Sequence, residues 1–169
     1  MRFVFRLALF AAVLTLPFAV PASAQYMYMD SNGNGIHDSG DRLNANGDST
    51  VVDIYLSTNT NRDGSTAGCN TVPGTVMDIN SYAVNLAVSG GTATYRNYIN
   101  RQTAAFPNQA QTLNAGDGTF KTGFFSFTYS PGGLLRLGSV TITGTGGSPK
   151  VGFVDILSAS QDFTSFGTP

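Results

Sequence analysis

Hydrophobic and polar residues alternate along most of the chain after position 50, which is the pattern of β-strands with one buried face. The alternating runs are short, and turns rich in Gly, Ser, Thr and Pro separate them. Such runs are typical of an antiparallel β-sandwich, so we expect an all-β fold. The residues predicted to face the core are Val52, Ile54 and Leu56; Tyr82, Val84, Leu86 and Val88; Phe125, Phe127 and Tyr129; and Leu135, Leu137, Val140 and Ile142.

Glycine and proline positions predict how these strands connect. Gly90–Gly91 predicts a two-residue hairpin turn, and Ser130–Gly133 has proline and glycine placed for a type II turn. The inward-facing residues are odd-numbered before Gly138 and even-numbered after it. This shift by one residue predicts a β-bulge at Gly138. A last strand is predicted over Val151–Leu157. Alternation is lost near Tyr98–Ala105, where we expect a short helix within a long loop.

The first 24 residues have the pattern of a signal peptide. Arg2 and Arg6 form a positive start, Leu7–Leu16 is apolar, and Ala22–Ala24 is a small-residue cleavage site. Cleavage before Gln25 leaves 145 of the 169 residues, enough for one domain with a core. We therefore expect a secreted protein, free or attached to a cell surface, with no membrane span after cleavage. Its predicted parts are a signal peptide (1–24), a calcium-binding loop segment (25–48) and a β-sandwich domain (49–169).

Charge composition argues against a nucleic-acid partner. All 10 acidic residues are aspartates, and the 9 basic residues form no run. Without Arg2 and Arg6 the formal charge is about −3. Six of the aspartates lie between Asp30 and Asp63, so the negative charge is concentrated in one part of the mature chain.

Residues Asp30–Asp41 have the ligand spacing of a twelve-residue calcium loop, with oxygen-bearing side chains at positions 1, 3, 5, 9 and 12. Gly35 stands at position 6, where the backbone needs a positive φ. Position 12 is aspartate rather than glutamate, and three carboxylates predict a Kd on the order of 10⁻⁴ M. An ordinary Asn/Gly/Asp turn is the alternative. The predicted Ca²⁺ ligands are Asp30, Asn32, Asn34, Asp38 and Asp41 through side-chain oxygens and Ile36 through its carbonyl.

A second stretch, Asn59–Asn70, begins with the same spacing. Its later positions, Ala67 and Asn70, carry no carboxylate, so a second metal site and an ordinary turn both stay open. Cys69 is the only cysteine, which excludes an intramolecular disulfide. We expect a small buried residue there, with pairing to a partner as the alternative.

The loop Asp30–Asp41 resembles the calcium loops of bacterial dockerin modules, thrombospondin type 3 repeats and the B-type repeats of surface adhesins. Dockerins have two such loops, each followed by a leucine-bearing helix, and this chain departs from that pattern. From Val51 onward the chain is similar in outline to cohesin modules, on its opening strand and on the segments Ile79–Leu86 and Leu134–Ile142. The resemblance implies a jelly-roll β-sandwich that binds a partner rather than one that catalyses.

Three classes of function follow from these features. The first is a secreted, non-catalytic binding or structural module that calcium stabilises, with an extracellular protein or polysaccharide as partner. The alternative is a carbohydrate-binding module with Tyr95, Arg96, Tyr98 and Arg101 on the long loop. An enzyme is not expected, because the chain has one histidine and no glutamate, and the grouping of His37 with Ser39, Asp38 and Asp41 is better explained by a metal loop.

Overall fold

The computed structural model describes residues 26–67, 77–113, 118–154 and 165–167, and these parts of the chain are all-β. They contain no helix, and thus none that could cross a membrane. The predicted signal peptide and Cys69 lie outside the described residues. The strands are β1 (Tyr26–Asp30), β2 (Ser49–Ser57), β3 (Asp78–Asn100), β4 (Asn108–Leu113), β5 (Thr119–Ser130), β6 (Leu134–Phe153) and β7 (Ser165–Gly167).

Every pair of neighbouring strands is antiparallel, as the sequence predicts. The strands form one hydrogen-bonded sheet in the order β1-β2-β6-β3-β5-β4, and β7 pairs with β3 outside this path. The two longest strands, β3 and β6, lie side by side at the centre of the sheet. A sandwich of two packed sheets stays a prediction.

Strand β3 doubles back on itself. The hydroxyl groups of Tyr82 and Tyr98, 16 positions apart on this strand, are 3.3 Å from each other. A straight strand of that length would separate them by about 53 Å. The bend lies between them, where Gly90 has a φ of 70° and the register with β6 shifts between Ser89 and Gly91. The Gly90–Gly91 pair is therefore a bend within one long strand, and the predicted hairpin turn is wrong.

Strand β6 bends beside β3, because it also carries glycines there. Gly91 pairs with Gly147, which has a φ of 68°, and Thr92 pairs with Gly146. A Cβ atom on Gly91 would collide with the backbone carbonyl oxygen of Gly146 and lie 2.8 Å from the nitrogen of Pro149. The two strands can approach this closely only where side chains are absent.

The buried core consists of residues from β2, β3, β5 and β6 together with Phe106. Tyr82 meets the edge of Phe106 with ring centroids 5.4 Å apart, and Tyr95 lies 5.8 Å from Phe120. Such aromatic pairs contribute about 0.5–1.5 kcal/mol each beyond the area that they bury. The alternation is confirmed for most positions: the predicted residues that are fully buried are Ile54, Leu56, Tyr82, Val84, Leu86, Leu137, Val140 and Ile142.

The bulge predicted at Gly138 is confirmed. Ile54 of β2 pairs with Gly138 and Tyr55 pairs with Arg136, so Leu137 has no partner in the register. A Cβ atom on Gly138 would collide with the phenol of Tyr98. Glycine is needed at this point because the Tyr98 ring occupies the space that a side chain would take.

Three local predictions are wrong. The chain over Tyr98–Ala105 forms the end of β3 and then a single turn, in which the Phe106 N–H donates to the Gln102 carbonyl at 2.7 Å. Phe127 is 89% exposed and Tyr129 is 44% exposed, although the alternation predicts that both face the core. The alternation fails here because Ser81 pairs with Phe125 and Ile79 with Ser130, which leaves four residues of β5 opposite one residue of β3.

Two turn predictions also need correction. In the connection Ser130–Gly133 the positive φ of 146° falls on Gly133, one residue later than a type II turn beginning at Ser130 requires. The segment Val151–Phe153 is the end of β6 rather than a separate strand, and residues 155–157 lie outside the described part.

We expect Gly91→Ala to lower the free energy of unfolding by about 1–3 kcal/mol, because its Cβ meets backbone atoms that cannot move aside. The matched control is Gly152→Ala. Gly152 lies on β6 and pairs with Ala87 of β3, so it belongs to the same pair of strands, but a Cβ atom there meets nothing within 4 Å. Urea denaturation of the two variants beside the wild type measures the difference. Equal midpoints for Gly91→Ala and Gly152→Ala would contradict the tight bend.

Candidate metal centre

The predicted calcium loop leaves the sheet at the end of β1. Asp30 is the last residue of β1 and pairs with Asp53 of β2. Two contacts hold the loop against this strand: the Tyr28 hydroxyl donates to the Gly35 carbonyl at 2.7 Å, and His37 Nδ1 lies 3.1 Å from the Met29 carbonyl oxygen. The loop therefore begins from a fixed point on the sheet.

The buried carboxylate of Asp30 organises the first half of the loop. It is 1% exposed and accepts three backbone N–H groups. Its Oδ1 accepts from Asn32 at 3.1 Å and Gly33 at 2.7 Å, and its Oδ2 accepts from Gly35 at 2.7 Å. Gly35 has a φ of 80°, so the predicted positive φ at this position is confirmed. The chain thus wraps around the side chain at loop position 1.

The side chains at loop positions 3, 5 and 9 meet on the exposed side of the loop. Asn32 and Asn34 each point an amide nitrogen at the Asp38 carboxylate, at 3.3 and 2.7 Å. Their amide oxygens accept the backbone N–H groups of Asn34 at 3.0 Å and Ile36 at 2.9 Å. Each of these oxygens keeps a second lone pair, so these bonds leave acceptor capacity for a cation.

Asp41, at loop position 12, closes the loop back onto its start. Its Oδ1 accepts the Ser31 N–H at 2.7 Å, and its Oδ2 accepts the Asp38 N–H at 2.8 Å. His37 Nδ1 lies 3.3 Å from Oδ2. Burial pushes the pKa of Asp41 upward, but the N–H groups of Ser31 and Asp38, with nearby His37, outweigh it and lower the pKa below its usual value.

The three aspartates of the loop do not form one carboxylate cluster. Within the described residues, no three His, Cys, Asp or Glu side chains gather in a way that would hold a metal ion. Calcium loops also use asparagine side chains and backbone carbonyl oxygens, which are not among these four residue types. Asn32, Asn34 and Asp38 come together, whereas Asp30 and Asp41 are held separately by backbone N–H groups. Ile36, which is predicted to bind the ion through its backbone carbonyl, has a side chain that is 58% exposed.

Ser31 is a residue of the loop that the ligand spacing does not reveal. Its hydroxyl accepts the Arg42 N–H at 2.8 Å and lies 3.2 Å from the Arg42 carbonyl oxygen, while its own N–H donates to Asp41. These bonds join the two ends of the loop. The sequence carries no local signal for this role, because the tendency of serine to bond backbone groups covers only a few positions and Ser31 and Arg42 are 11 positions apart.

The described part of the second stretch, residues 59–67, closes on itself as a tight turn. Thr60 and Thr66 form an isolated β-bridge, and the Gly64 N–H donates to the Asn61 carbonyl at 2.9 Å. Asp63 accepts the Ser65 hydroxyl at 2.6 Å, and this bond lowers the pKa of the Asp63 carboxyl. Asn61 Nδ2 donates to the Ser65 hydroxyl at 3.0 Å, whereas Asn61 Oδ1 is buried without a hydrogen-bond partner. Asn70 lies outside the described residues.

The tyrosines of the carbohydrate hypothesis lie inside the core. Tyr95 belongs to β3 and is 0% exposed, and burial raises its pKa to about 12. Tyr98 is partly buried and contacts Phe120 and Phe124 with centroid distances of 5.6 and 5.9 Å. Neither ring forms part of an exposed platform on a loop.

The grouping around His37 does not form a triad in this structure. His37 contacts Asp41 and the Met29 carbonyl, and no hydrogen bond joins it to Ser39 in this described loop. Asp41 is committed to the backbone of Ser31 and Asp38. The histidine therefore serves to hold the loop.

No protein-family model matches the chain, and neither a curated protein nor a solved structure is significantly similar to it.

We expect the contribution of Asp41 to stability to depend on pH. Because its pKa in the folded protein lies below the value of about 3.9 in the unfolded chain, the stabilisation is fully present above about pH 4. It is lost as the pH falls through the folded pKa. The urea midpoint of the wild type should therefore exceed that of Asp41→Asn at pH 7, in chelator, and the difference should shrink on acidification below about pH 4.

The control for this measurement is Asp48→Asn, at an exposed aspartate between the loop and β2. Its midpoint at pH 7 should stay close to that of the wild type. A difference between wild type and Asp41→Asn that is the same at every pH would contradict the role assigned to the charged carboxylate.

Proposed function

We propose that the protein is a secreted, non-catalytic binding or structural module whose loop Asp30–Asp41 binds Ca²⁺. The observation that carries this proposal is the arrangement of the loop. The side chains at positions 3, 5 and 9 meet, and the carboxylate at position 1 turns the backbone around itself. Oxygen donors of the carboxylate and amide type are those that calcium prefers.

The residues proposed to hold the ion are Asp30, Asn32, Asn34, Asp38 and Asp41, with the Ile36 carbonyl. Bound calcium neutralises three carboxylates within one short loop and ties its exposed half to the half fixed on β1. Because the ion binds only the folded loop, it adds about 2.7 kcal/mol of stability at a hundredfold excess over Kd. The proposed role of the ion is rigidity and protease resistance rather than chemistry.

The finer architecture belongs to the same proposal. We infer that the bent sheet forms the two layers of a β-sandwich. The contact between Tyr82 and Tyr98 and the ring pairs between β3 and β5 support this, because residues distant along one sheet face each other. A sandwich with a calcium loop at one edge matches the cohesin-like outline of the sequence and favours a protein partner over a substrate.

Carbohydrate binding through Tyr95 and Tyr98 is not part of this proposal. Tyr95 is fully buried and Tyr98 packs on Phe120 and Phe124, so stacking a sugar on them would require opening the core.

We expect excess calcium to raise the melting temperature of the mature chain by several degrees and a chelator to reverse the change. Asp38→Ala should abolish the calcium-dependent shift with little effect in chelator, because Asp38 is exposed and its side chain contacts only other parts of the loop. Asp30 is less suitable, since its replacement would also release three backbone N–H groups. The charge-matched control outside the loop, Asp48→Ala, should keep the full shift.

Magnesium at the same concentration should produce a smaller shift, because it keeps several waters and is poorly served by an all-protein loop. A wild-type melting temperature that is unchanged by calcium would overturn the metal site. Shifts of equal size in Asp38→Ala and Asp48→Ala would show that calcium acts elsewhere.

Limited proteolysis with trypsin tests the proposed rigidity at single-residue level. Arg42 is exposed directly after the loop, and Arg62 is exposed in the separate turn at residues 59–67. Calcium should slow cleavage after Arg42 several-fold and leave cleavage after Arg62 unchanged, as mass spectrometry of the fragments would report. Equal protection at both arginines would indicate global stabilisation instead of a local clamp.

A further inference from the structure

An open cleft of about 560 Å³ lies between the end of β6 and the segment formed by the last part of the candidate metal loop and the residues that follow it, 42–46. One wall consists of His37 and Asp41 of the loop and of residues 42–46, which follow the loop, and the other wall consists of Gly147–Val151. The volume is in the range of sites that hold small organic molecules, about 300–1,000 Å³. The cleft is separate from the side of the loop where Asn32, Asn34 and Asp38 meet, because none of these three lines it.

The floor of the cleft is apolar. It is formed by residues of β1, β2 and β6 and by Leu43, which follows the loop, and two of them, Val52 and Ile142, also belong to the buried core. An apolar body that enters the cleft would remove the partly exposed side chains of Met29, Leu43 and Val151 from water. The apolar lining consists of Met29, Leu43, Val52, Ile142 and Val151.

The rim of the cleft carries two exposed cations, Arg42 on the loop wall and Lys150 on β6. Among the described residues the ion pairs are His37 with Asp41 and Arg136 with Asp53, so neither rim cation has a carboxylate partner there. Asp41 is the one carboxylate that lines the cleft, and its side chain is only 7% exposed. The accessible charge of the rim is therefore positive.

We propose that this cleft binds a small amphiphilic anion, a molecule with an apolar or aromatic body and one carboxylate or sulfonate group. The body lies on the floor, and the anionic group lies between Arg42 and Lys150. Charge complementarity selects this class, because a neutral apolar ligand would leave both cations without a counter-charge and a small inorganic anion would leave the floor in water. The inference goes beyond the proposed function and does not require calcium, since Ser31 and Asp41 already hold the loop wall.

A matched pair of fluorescent probes tests the proposal. 8-Anilinonaphthalene-1-sulfonate has an aromatic body and a sulfonate, and N-phenyl-1-naphthylamine has the same body without the charge. We expect saturable binding of the sulfonate to the folded wild type with a stoichiometry of one. The neutral probe should bind at least about tenfold more weakly, the scale of one lost charge-assisted contact.

Variants then locate the bound probe. The exposed double substitution Arg42→Gln/Lys150→Gln should weaken binding of the sulfonate about tenfold or more and leave the neutral probe nearly unchanged. Ala45→Trp, at an exposed position that lines the cleft, should block both probes by filling it. The control Lys121→Gln removes a cation from β5, away from the cleft, and should change neither affinity. The melting temperature of each variant verifies that it is folded.

Three results would overturn the proposal. The first is the absence of saturable sulfonate binding to the folded wild type. The second is binding that survives both Ala45→Trp and the double substitution unchanged. The third is binding that Phe127→Ser abolishes, which would place the probe on the exposed Phe127 of β5 instead. Because Arg42→Gln/Lys150→Gln changes only exposed side chains, the test stands even if Ala45→Trp fails to fold.

Discussion

The shared bend of β3 and β6 is the constraint on which the rest of this structure depends. Both strands carry glycine where they cross the bend, and the backbone of Gly91 approaches Gly146 and Pro149 too closely for any side chain. Because the strands turn together, the two halves of β3 face each other and Tyr82 reaches Tyr98. The contacts of Tyr95 and Tyr98 with Phe120 and Phe124 depend on this bend, because it brings the second half of β3 back to rings that pair with its first half.

The bend also determines what surrounds the candidate metal loop. The loop is attached to the sheet through β1, a strand of five residues, and is otherwise ordered by its own hydrogen bonds. After the bend, β6 passes the last part of the loop and the residues that follow it, 42–46, and the cleft lies between them. Loop order and cleft shape are thus linked through Ser31 and Asp41, which hold the loop wall in place. Asn32, Asn34 and Asp38 of the proposed cation site lie away from the cleft, whereas Asp41 belongs to that site and also lines the cleft.

Predictions from the sequence succeeded where the deciding contacts are local. The alternation at Ile54 and Leu56 identified buried positions, and the parity change identified the bulge at Gly138. They failed where a partner strand decided the outcome. Phe127 keeps the pattern of an inward residue, but the unequal pairing of β5 with β3 leaves it exposed. Gly90–Gly91 has the composition of a hairpin turn, and only the pairing with β6 makes it a bend.

The sequence by itself determined the all-β class and the turn at Gly35, because period-two burial and positive φ depend on residues a few positions apart. It also identified the loop side chains that meet, Asn32, Asn34 and Asp38, since all three lie within seven consecutive residues. Tertiary structure decided which tyrosines are buried and where the cleft lies. These features join residues that are up to about a hundred positions apart, and local patterns carry no information about such contacts.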